Sequence, residues 1–310
     1  MSEIKEVFTS RYHNGNIIEM DFSQLEVIGL AVLSKDPVLK NDLLSGIDMH
    51  CQNCVDLFPE MRMSYDDWVS AYKAGDMVVT KKRKVAKAFS FQLQYGAGAP
   101  SMAADQGVPE HLAKKFIDNY YARYPRVKTW QDENIEIVNS TAEISSRRTE
   151  MGYPAMVGYL LSPTGRTYEF TQFDAPEFMK KKGIDTSFSP TQIKNYPVQG
   201  FSTGDIVPMA LGKVMRYLAR EGLLDTILMI NTIHDSILFD VPDAQYFGNR
   251  GQTLRGNLIE HVRNLQQVLM SITTDINLLW PAIDFDIPLA VDVEYGSDWG
   301  NMQSFDNFVA

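Results

Sequence analysis

Residues 80–100, TKKRKVAKAFSFQLQYGAGAP, carry a helical repeat with two chemically different faces. Thr80 is placed to cap the N-terminus, and Gly96, Gly98 and Pro100 are stop signals after Tyr95, which predicts a helix of about four turns. Arg83, Lys87, Phe91 and Tyr95 recur every fourth residue, a stripe about 18 Å long that drifts roughly 120° around the axis. Val85, Phe89 and Leu93 form a second stripe on the far side, the face expected to pack on a core. A solvated basic surface is the ordinary reading of such a Lys-rich helix. Against it stands the crowding of Lys81, Lys82, Arg83, Lys84 and Lys87 into the N-terminal half, where the helix dipole favours anions. A polyphosphate on the cations and a base-sized ring on Phe91 and Tyr95 account for all four residues of the stripe together.

The net charge of −10 excludes a protein whose whole surface coats nucleic acid, but not an enzyme with a local basic groove. No acidic residue lies between Asp76 and Asp105, so the positive field around the helix is local. At 310 residues and 45% hydrophobic content the chain predicts one large or two closely linked domains. No apolar run approaches a membrane span and MSEIKEVF has no signal-peptide pattern, so the expected location is the cytoplasm, with no membrane partner. Cys51 and Cys54 lack a second pair and are expected to be buried free thiols rather than zinc ligands.

The string Arg83-x3-Lys87-x3-Phe91-x3-Tyr95-Gly96 resembles motif B, the nucleotide-binding fingers helix of family A DNA polymerases, the DNA polymerase I family. Two further motifs follow the family order. Residues 15–21 read as a strand ending in a carboxylate, and the next helix begins with Ser23 and Glu26 at capping-box spacing. The same DFSQLE resembles motif A, which implies that Asp21 binds catalytic metal, that Gln24 lies at the nucleotide and that Glu26 blocks a ribose 2′-hydroxyl. Residues 226–242 read as a hairpin with His234-Asp235 at its tip, where an aspartate is also ordinary turn chemistry. It resembles motif C with Ser236 in place of the usual glutamate, so either the third carboxylate is dispensable or another acid substitutes.

Residues 45–58 read as one helix. Within it Asp48-Met-His50 resembles the family's Asp-aliphatic-His element, whose histidine touches the triphosphate. Residues 109–140 read as one long helical segment whose aromatics pack. Residues 152–170 read as strands, and 174–190 as irregular. Asn195 and Gln199 precede a helix through about residue 220 and would ordinarily be caps. They resemble the Asn-x3-Gln-Gly element that, with His234, contacts primer–template DNA, and Thr191 stands where the family commonly has Arg. Residues 288–299 resemble the family's C-terminal strand and Gly-x-x-Trp ending.

The resemblance implies an α+β polymerase palm, an antiparallel sheet with helices, and a mostly helical fingers subdomain. The expected boundaries are 1–29 palm, 30–187 fingers with helix 80–96, and 188–310 palm. It implies template-directed DNA synthesis from dNTPs on primer–template DNA, with Asp21 and Asp235 holding two Mg²⁺ ions roughly 3.5–4 Å apart. Arg83, Lys87 and His50 would neutralise the β- and γ-phosphates, and Lys87 would protonate the leaving pyrophosphate. Phe91 and Tyr95 would pack on the nucleotide and near the templating base, with Gly96 and Gly98 as a flexible base for a closing swing. The thumb and exonuclease domains and the segments expected just before motif A are absent from residues 1–20. The expectation is therefore the C-terminal half of a split polymerase, of bacteriophage origin, or a truncation. A separate upstream polypeptide would carry the thumb and any 3′–5′ exonuclease. The rival readings are a single-subunit RNA polymerase, whose motif C often reads His-Asp-Ser, and a non-catalytic DNA-binding subunit.

Overall fold

The computed structural model describes residues 3–243 and 258–309. Two compact units form: Met1–Gly29 with Gly200–Ala310, and Leu30–Gln199. In chain order, β1 (Asn16–Phe22) leads into α1 (Leu25–Ser34). The helical unit follows with α2 (Pro37–Leu44), α3 (Met49–Leu57), α4 (Tyr65–Lys73), α5 (Met77–Gln94), α6 (Ala99–Gln106), α7 (Glu110–Arg123) and α8 (Pro125–Ser140). It continues through β2 (Glu143–Arg148), β3 (Pro154–Leu161), β4 (Thr167–Thr171), β5 (Phe173–Asp174), α9 (Glu177–Lys180), β6 (Thr186–Ser187) and α10 (Pro190–Phe201). The chain then returns to the sheet unit with a π-turn at Ser202–Ile206, α11 (Val207–Glu221), β7 (Leu228–Ile233) and β8 (Ser236–Val241). From residue 258 onward come α12 (Leu258–Met270), α13 (Ile272–Leu279), β9 (Val291–Gly296), β10 (Gln303–Ser304) and α14 (Asp306–Val309).

The sheet unit is built on a five-stranded antiparallel sheet in the order β10-β9-β1-β8-β7. In β1, Ile18, Met20 and Phe22 are buried on one face, while Glu19 and Asp21 share the other with Ile17. A one-residue slip would exchange those faces, so the apolar pattern fixes the register. Every residue of β8 is buried, as suits an interior strand. On α11 and α12 the Tyr217 hydroxyl and His261 Nδ1 lie 2.9 Å apart, a buried polar link between the two helices. A Cβ on Gly29 would sit 2.2 Å from Ser202 Oγ, so glycine is what permits α1 and the π-turn to approach this closely.

In the helical unit Phe89 of α5 meets Phe116 edge-on, and Phe116, Tyr120 and Tyr124 continue the aromatic core along α7. A second core of Val138, Leu160, Phe170, Phe188 and Ile193 lies under the small β2-β3-β4 sheet. The single helix expected over 109–140 is two helices. Tyr124 leaves the helical region ahead of Pro125, whose ring disfavours the α conformation in its predecessor. The new helix begins without a cap of its own. Asp36, fully buried, supplies it: Oδ1 accepts from the Val38 and Leu39 amides of α2, and Oδ2 from the Arg126 and Val127 amides of α8. The stretch 174–190, expected to be irregular, holds α9 and the β5–β6 pair.

Because one carboxylate caps two helices, Asp36→Ala should destabilise the protein by about 2–4 kcal/mol, the sum of two lost caps and an unsatisfied buried helix end. Urea unfolding followed by circular dichroism measures it, and a loss below about 1 kcal/mol would mean that neither cap matters.

Candidate active site

In the sheet unit, hydrophobic alternation on β1 and β9 gathers acids onto one face. Asp21 is directly opposite Asp292, and Glu19 is opposite Glu294 in the adjacent row. Like charges across an antiparallel pair repel. On its other side Asp21 pairs with Ser236 at the start of β8, and the Phe22 amide donates to the Asp235 carbonyl at 3.3 Å, which draws the two aspartates of the sequence motifs together. Partial burial of its carboxyl, and then the charges of Asp235, Glu19, Asp292 and Glu294, push Asp21 from 3.8 up to about 6. Asp235 is also raised, chiefly by burial.

Asp235 follows His234, which holds φ 54° in the two-residue turn between β7 and β8. Gln24, with φ 57°, makes the equivalent departure between β1 and α1. Both positions store strain of the order of 1 kcal/mol where the chain carries its motif residues. The expected Ser23–Glu26 capping box takes another form. Ser23 donates its hydroxyl to Asp292 Oδ2 at 2.7 Å and its amide to the Ala290 carbonyl, so it braces β9 instead of capping α1. Asp292 is the acidic neighbour that motif reading missed; the V-D-V-E alternation of β9, set against E-M-D on β1, was the available signal.

In the helical unit, α5 begins a turn earlier than the sequence predicts. Asp76, not Thr80, is its cap, with Oδ1 accepting from the Val78 and Val79 amides. The carboxylate offsets the dipole end, and the cations therefore start in the second turn. Val79, Ala86, Phe89 and Leu93 are the buried face, with Val85 at its margin. Two of the cations have counter-ions: Lys82 pairs with Glu60 at 2.9 Å, and Arg83 pairs with Asp48 at 2.8 Å while lying over the Tyr72 ring. Among the described residues Lys87 has no carboxylate partner, and its ammonium stands 5.5 Å from the Phe91 ring centroid. Phe91 in turn stacks with Tyr95 at 6.5 Å and tilts toward His50 at 6.2 Å.

His50 is on α3, whose start lies at Met49, well after residue 45, because Asp48 caps it. Burial first, and then the Arg83 charge, lower its pKa from 6.5 to about 4. It is therefore neutral at pH 7 and offers a hydrogen bond rather than the charge expected of it. Cys51 and Cys54 are buried free thiols. Asn195 and Gln199 lie one turn apart within α10, which Pro190 opens at its first turn, so neither is a cap. Gly96 closes α5 with φ 78°, its amide donating to Leu93 and the Ala97 amide to Gln92. This paired arrangement is a hydrogen-bonded helix stop.

A model of DNA polymerase family A matches residues 1–301. The chain belongs to DNA polymerase family A. It is 24% identical over 300 residues to DNA polymerase I of Chloroflexus aurantiacus, covering 97% of this chain and 26% of that protein. With DNA polymerase I of Pseudomonas aeruginosa the identity is 26% over 283 residues, 91% of this chain and 24% of the relative. The chain thus spans about a quarter of the length of these relatives. The POL domain of Pol1 from M. smegmatis, solved in complex with DNA primer-template and dNTP, superposes with a TM-score of 0.61 at 20% identity. That match covers 96% of this chain and 42% of the other, and shows a shared fold. The expected α+β architecture, antiparallel sheet plus helical subdomain, is that of the family A polymerase domain. No helix among the described residues is long and apolar enough to cross a membrane.

Polymerases of this family are generally metal-dependent. Among the described residues no three His, Cys, Asp or Glu side chains converge as a ready cation cage. The donors nevertheless fit a hard cation: Asp21 and Asp235 offer carboxylate oxygens, and the repulsion that raises Asp21 is what a divalent ion would relieve.

Asp21 titrates higher folded than unfolded, so its ionised form opposes folding, with no cost near pH 3 and the full cost above about pH 6. Asp21→Asn should therefore stabilise the metal-free protein at pH 7 by about 1 kcal/mol once solvent screening is allowed for, and the gain should shrink to nothing toward pH 4. Thermal melts of both proteins across that range check it. A variant less stable than the parent at pH 7 would rule out repulsion at this carboxylate.

Proposed function

We propose that this chain performs template-directed DNA synthesis, transferring a nucleotidyl group from a dNTP to a primer 3′-hydroxyl. The observation that carries the reading is the meeting of Asp21 with Asp235 on a sheet face already crowded with negative charge. Such an arrangement is costly without bound cations, and family A membership supplies the reaction that uses them. Asp21 and Asp235 would hold two Mg²⁺ ions, with Asp292, directly opposite Asp21 across β1 and β9, placed to take the part of the motif C glutamate replaced by Ser236. The ions would supply Lewis-acid activation of the attacking hydroxyl and charge neutralisation at the triphosphate.

The chain's own side chains have distinct parts. Arg83 and Lys87 bind the β- and γ-phosphate oxygens, Arg83 through oriented N–H groups and Lys87 through a charge not already cancelled. Lys87 is the general acid for the leaving pyrophosphate. Neutral His50 contributes a hydrogen bond to the same phosphates. Phe91 packs on the incoming nucleotide, Tyr95 stacks near the templating base, and Gln24 and Glu26 line the sugar side. Glu26 excludes a 2′-hydroxyl and so selects deoxynucleotides. Asn195, Gln199 and His234 contact the primer–template duplex.

The test is primer extension by the purified chain with Mg²⁺ and dNTPs, with Asp21→Ala beside it. Because the chain spans about a quarter of its relatives, a second arm adds an upstream polymerase fragment that supplies a thumb. Extension in either arm, reduced at least about a thousandfold by Asp21→Ala, is expected from the loss of a ligand to catalytic metal. Extension only in the second arm would identify a two-chain enzyme. Extension unaffected by Asp21→Ala, or none in either arm, would refute the reading. The motif C sequence His-Asp-Ser favours an RNA polymerase as the alternative. Glu26→Ala should raise rNTP incorporation relative to dNTP, whereas an RNA polymerase would already prefer rNTPs before the substitution.

A further inference from the structure

The Asp48 carboxylate serves two helices at once. Its Oδ1 accepts the His50 and Cys51 amides at 3.0 and 2.9 Å and so fixes the first turn of α3, the turn that carries His50. Its Oδ2 accepts Nε and Nη2 of Arg83 at 3.0 and 2.8 Å. Asp48 is itself held, because its own amide donates to the Tyr65 hydroxyl at 3.0 Å. The guanidinium lies over the Tyr72 ring, 4.2 Å from the centroid, and only 19% of the Arg83 side chain is exposed. A free arginine on a helix surface samples many rotamers and loses that freedom when it binds an anion. Arg83 has already lost it.

The pairing leaves binding capacity over. A guanidinium presents five N–H groups in a fixed fork; Asp48 uses Nε–H and one on Nη2, and the Cys51 thiol engages the guanidinium as well. At least two N–H groups remain for a second anion, in a plane that the carboxylate and the tyrosine ring define. The ion pair also cancels most of the Arg83 charge, so what this residue offers a phosphate is direction more than charge. We propose that Asp48 is a positioning residue for triphosphate binding, orienting Arg83 by a side-on carboxylate clamp and, through the cap of α3, setting His50 beside it. The proposal rests on the nucleotide-binding reading of α5 given above.

Charge and geometry predict opposite signs, which makes the idea testable. Removing an anion beside a phosphate site should tighten phosphate binding if only the field matters, most visibly at low salt. Removing a clamp should weaken it. The probe is inorganic tripolyphosphate, titrated calorimetrically into the full chain, with circular dichroism melts confirming that each variant is folded. Asp48→Ser keeps a good N-cap for α3 while abolishing the reach to Arg83. Asp48→Asn serves as a second variant if the serine protein does not fold. Each is made alone and with Arg83→Ala.

Arg83→Ala is expected to weaken binding, and Asp48→Ser to weaken it about tenfold, the scale of misorienting a charge-assisted hydrogen bond. In the Arg83→Ala background Asp48→Ser should have no further effect, since the residue acts through Arg83. Unchanged or tighter binding by Asp48→Ser would overturn the positioning role while leaving the nucleotide-binding reading standing. An equal loss with and without Arg83 would also overturn it, in favour of a purely helix-capping residue. Binding insensitive to Arg83→Ala, or absent in the parent protein, would remove the reading of α5 and this inference together.

Discussion

Electrostatic repulsion across paired strands is the constraint on which the sheet unit depends. The core of that unit needs Ile18, Met20 and Phe22 turned inward, and a strand with that face has no freedom about where Glu19 and Asp21 go. The neighbouring β9 obeys the same rule, so burying its valines sets Asp292 and Glu294 against them. Hydrophobic burial thus assembles the acids, and their mutual cost is carried by the core beneath. The energy opposing such bare carboxylates is released when they are neutralised, by protons or by a cation.

The helical unit treats charge differently. Five of its cations crowd onto α5, and the unit answers with carboxylates on neighbouring segments: Glu60 for Lys82, Asp48 for Arg83, Asp76 at the helix start. Lys87 is left without such an answer among the described residues, one turn before Phe91 and next to a histidine that burial keeps neutral. On the stripe that Phe91 continues, α5 thus carries the uncompensated charge of Lys87 and an arginine whose direction is already set.

Much of this was legible in the sequence, and the remainder divides by cause. Local signals did well: the β7–β8 hairpin tip at His234-Asp235, the apolar face of α5 and the free thiols Cys51 and Cys54 follow from period and spacing. Helix starts did less well, because a cap is decided by which side chain reaches the free amides. In sequence Thr80 reads as the cap of α5, and the hydrogen bonds from Val78 and Val79 to Asp76 place the start a turn earlier. Non-local partners were out of reach. Asp36 capping a helix 90 positions away, Ser23 turning from Glu26 to Asp292, and Asp48 clamping Arg83 all depend on which elements meet, which no window of sequence contains. The α7–α8 break at Tyr124-Pro125 is different, since its signal, a proline, stands in the sequence itself.

The helix stop at Gly96 has a mechanical side. A Cβ there would stand 2.7 Å from the Thr191 Cα, and the Thr191 hydroxyl donates to the Gly96 carbonyl at 3.2 Å. The end of α5 is therefore seated against the first turn of α10, on the same helix that presents Asn195 and Gln199 a turn and two turns further on. With the glycine backbone pressed on Thr191 and its neighbours hydrogen-bonded, tilting α5 would load α10 directly, as a lever loads its fulcrum. The stripe of α5 and the Asn195–Gln199 face of α10 would then answer to the same displacement.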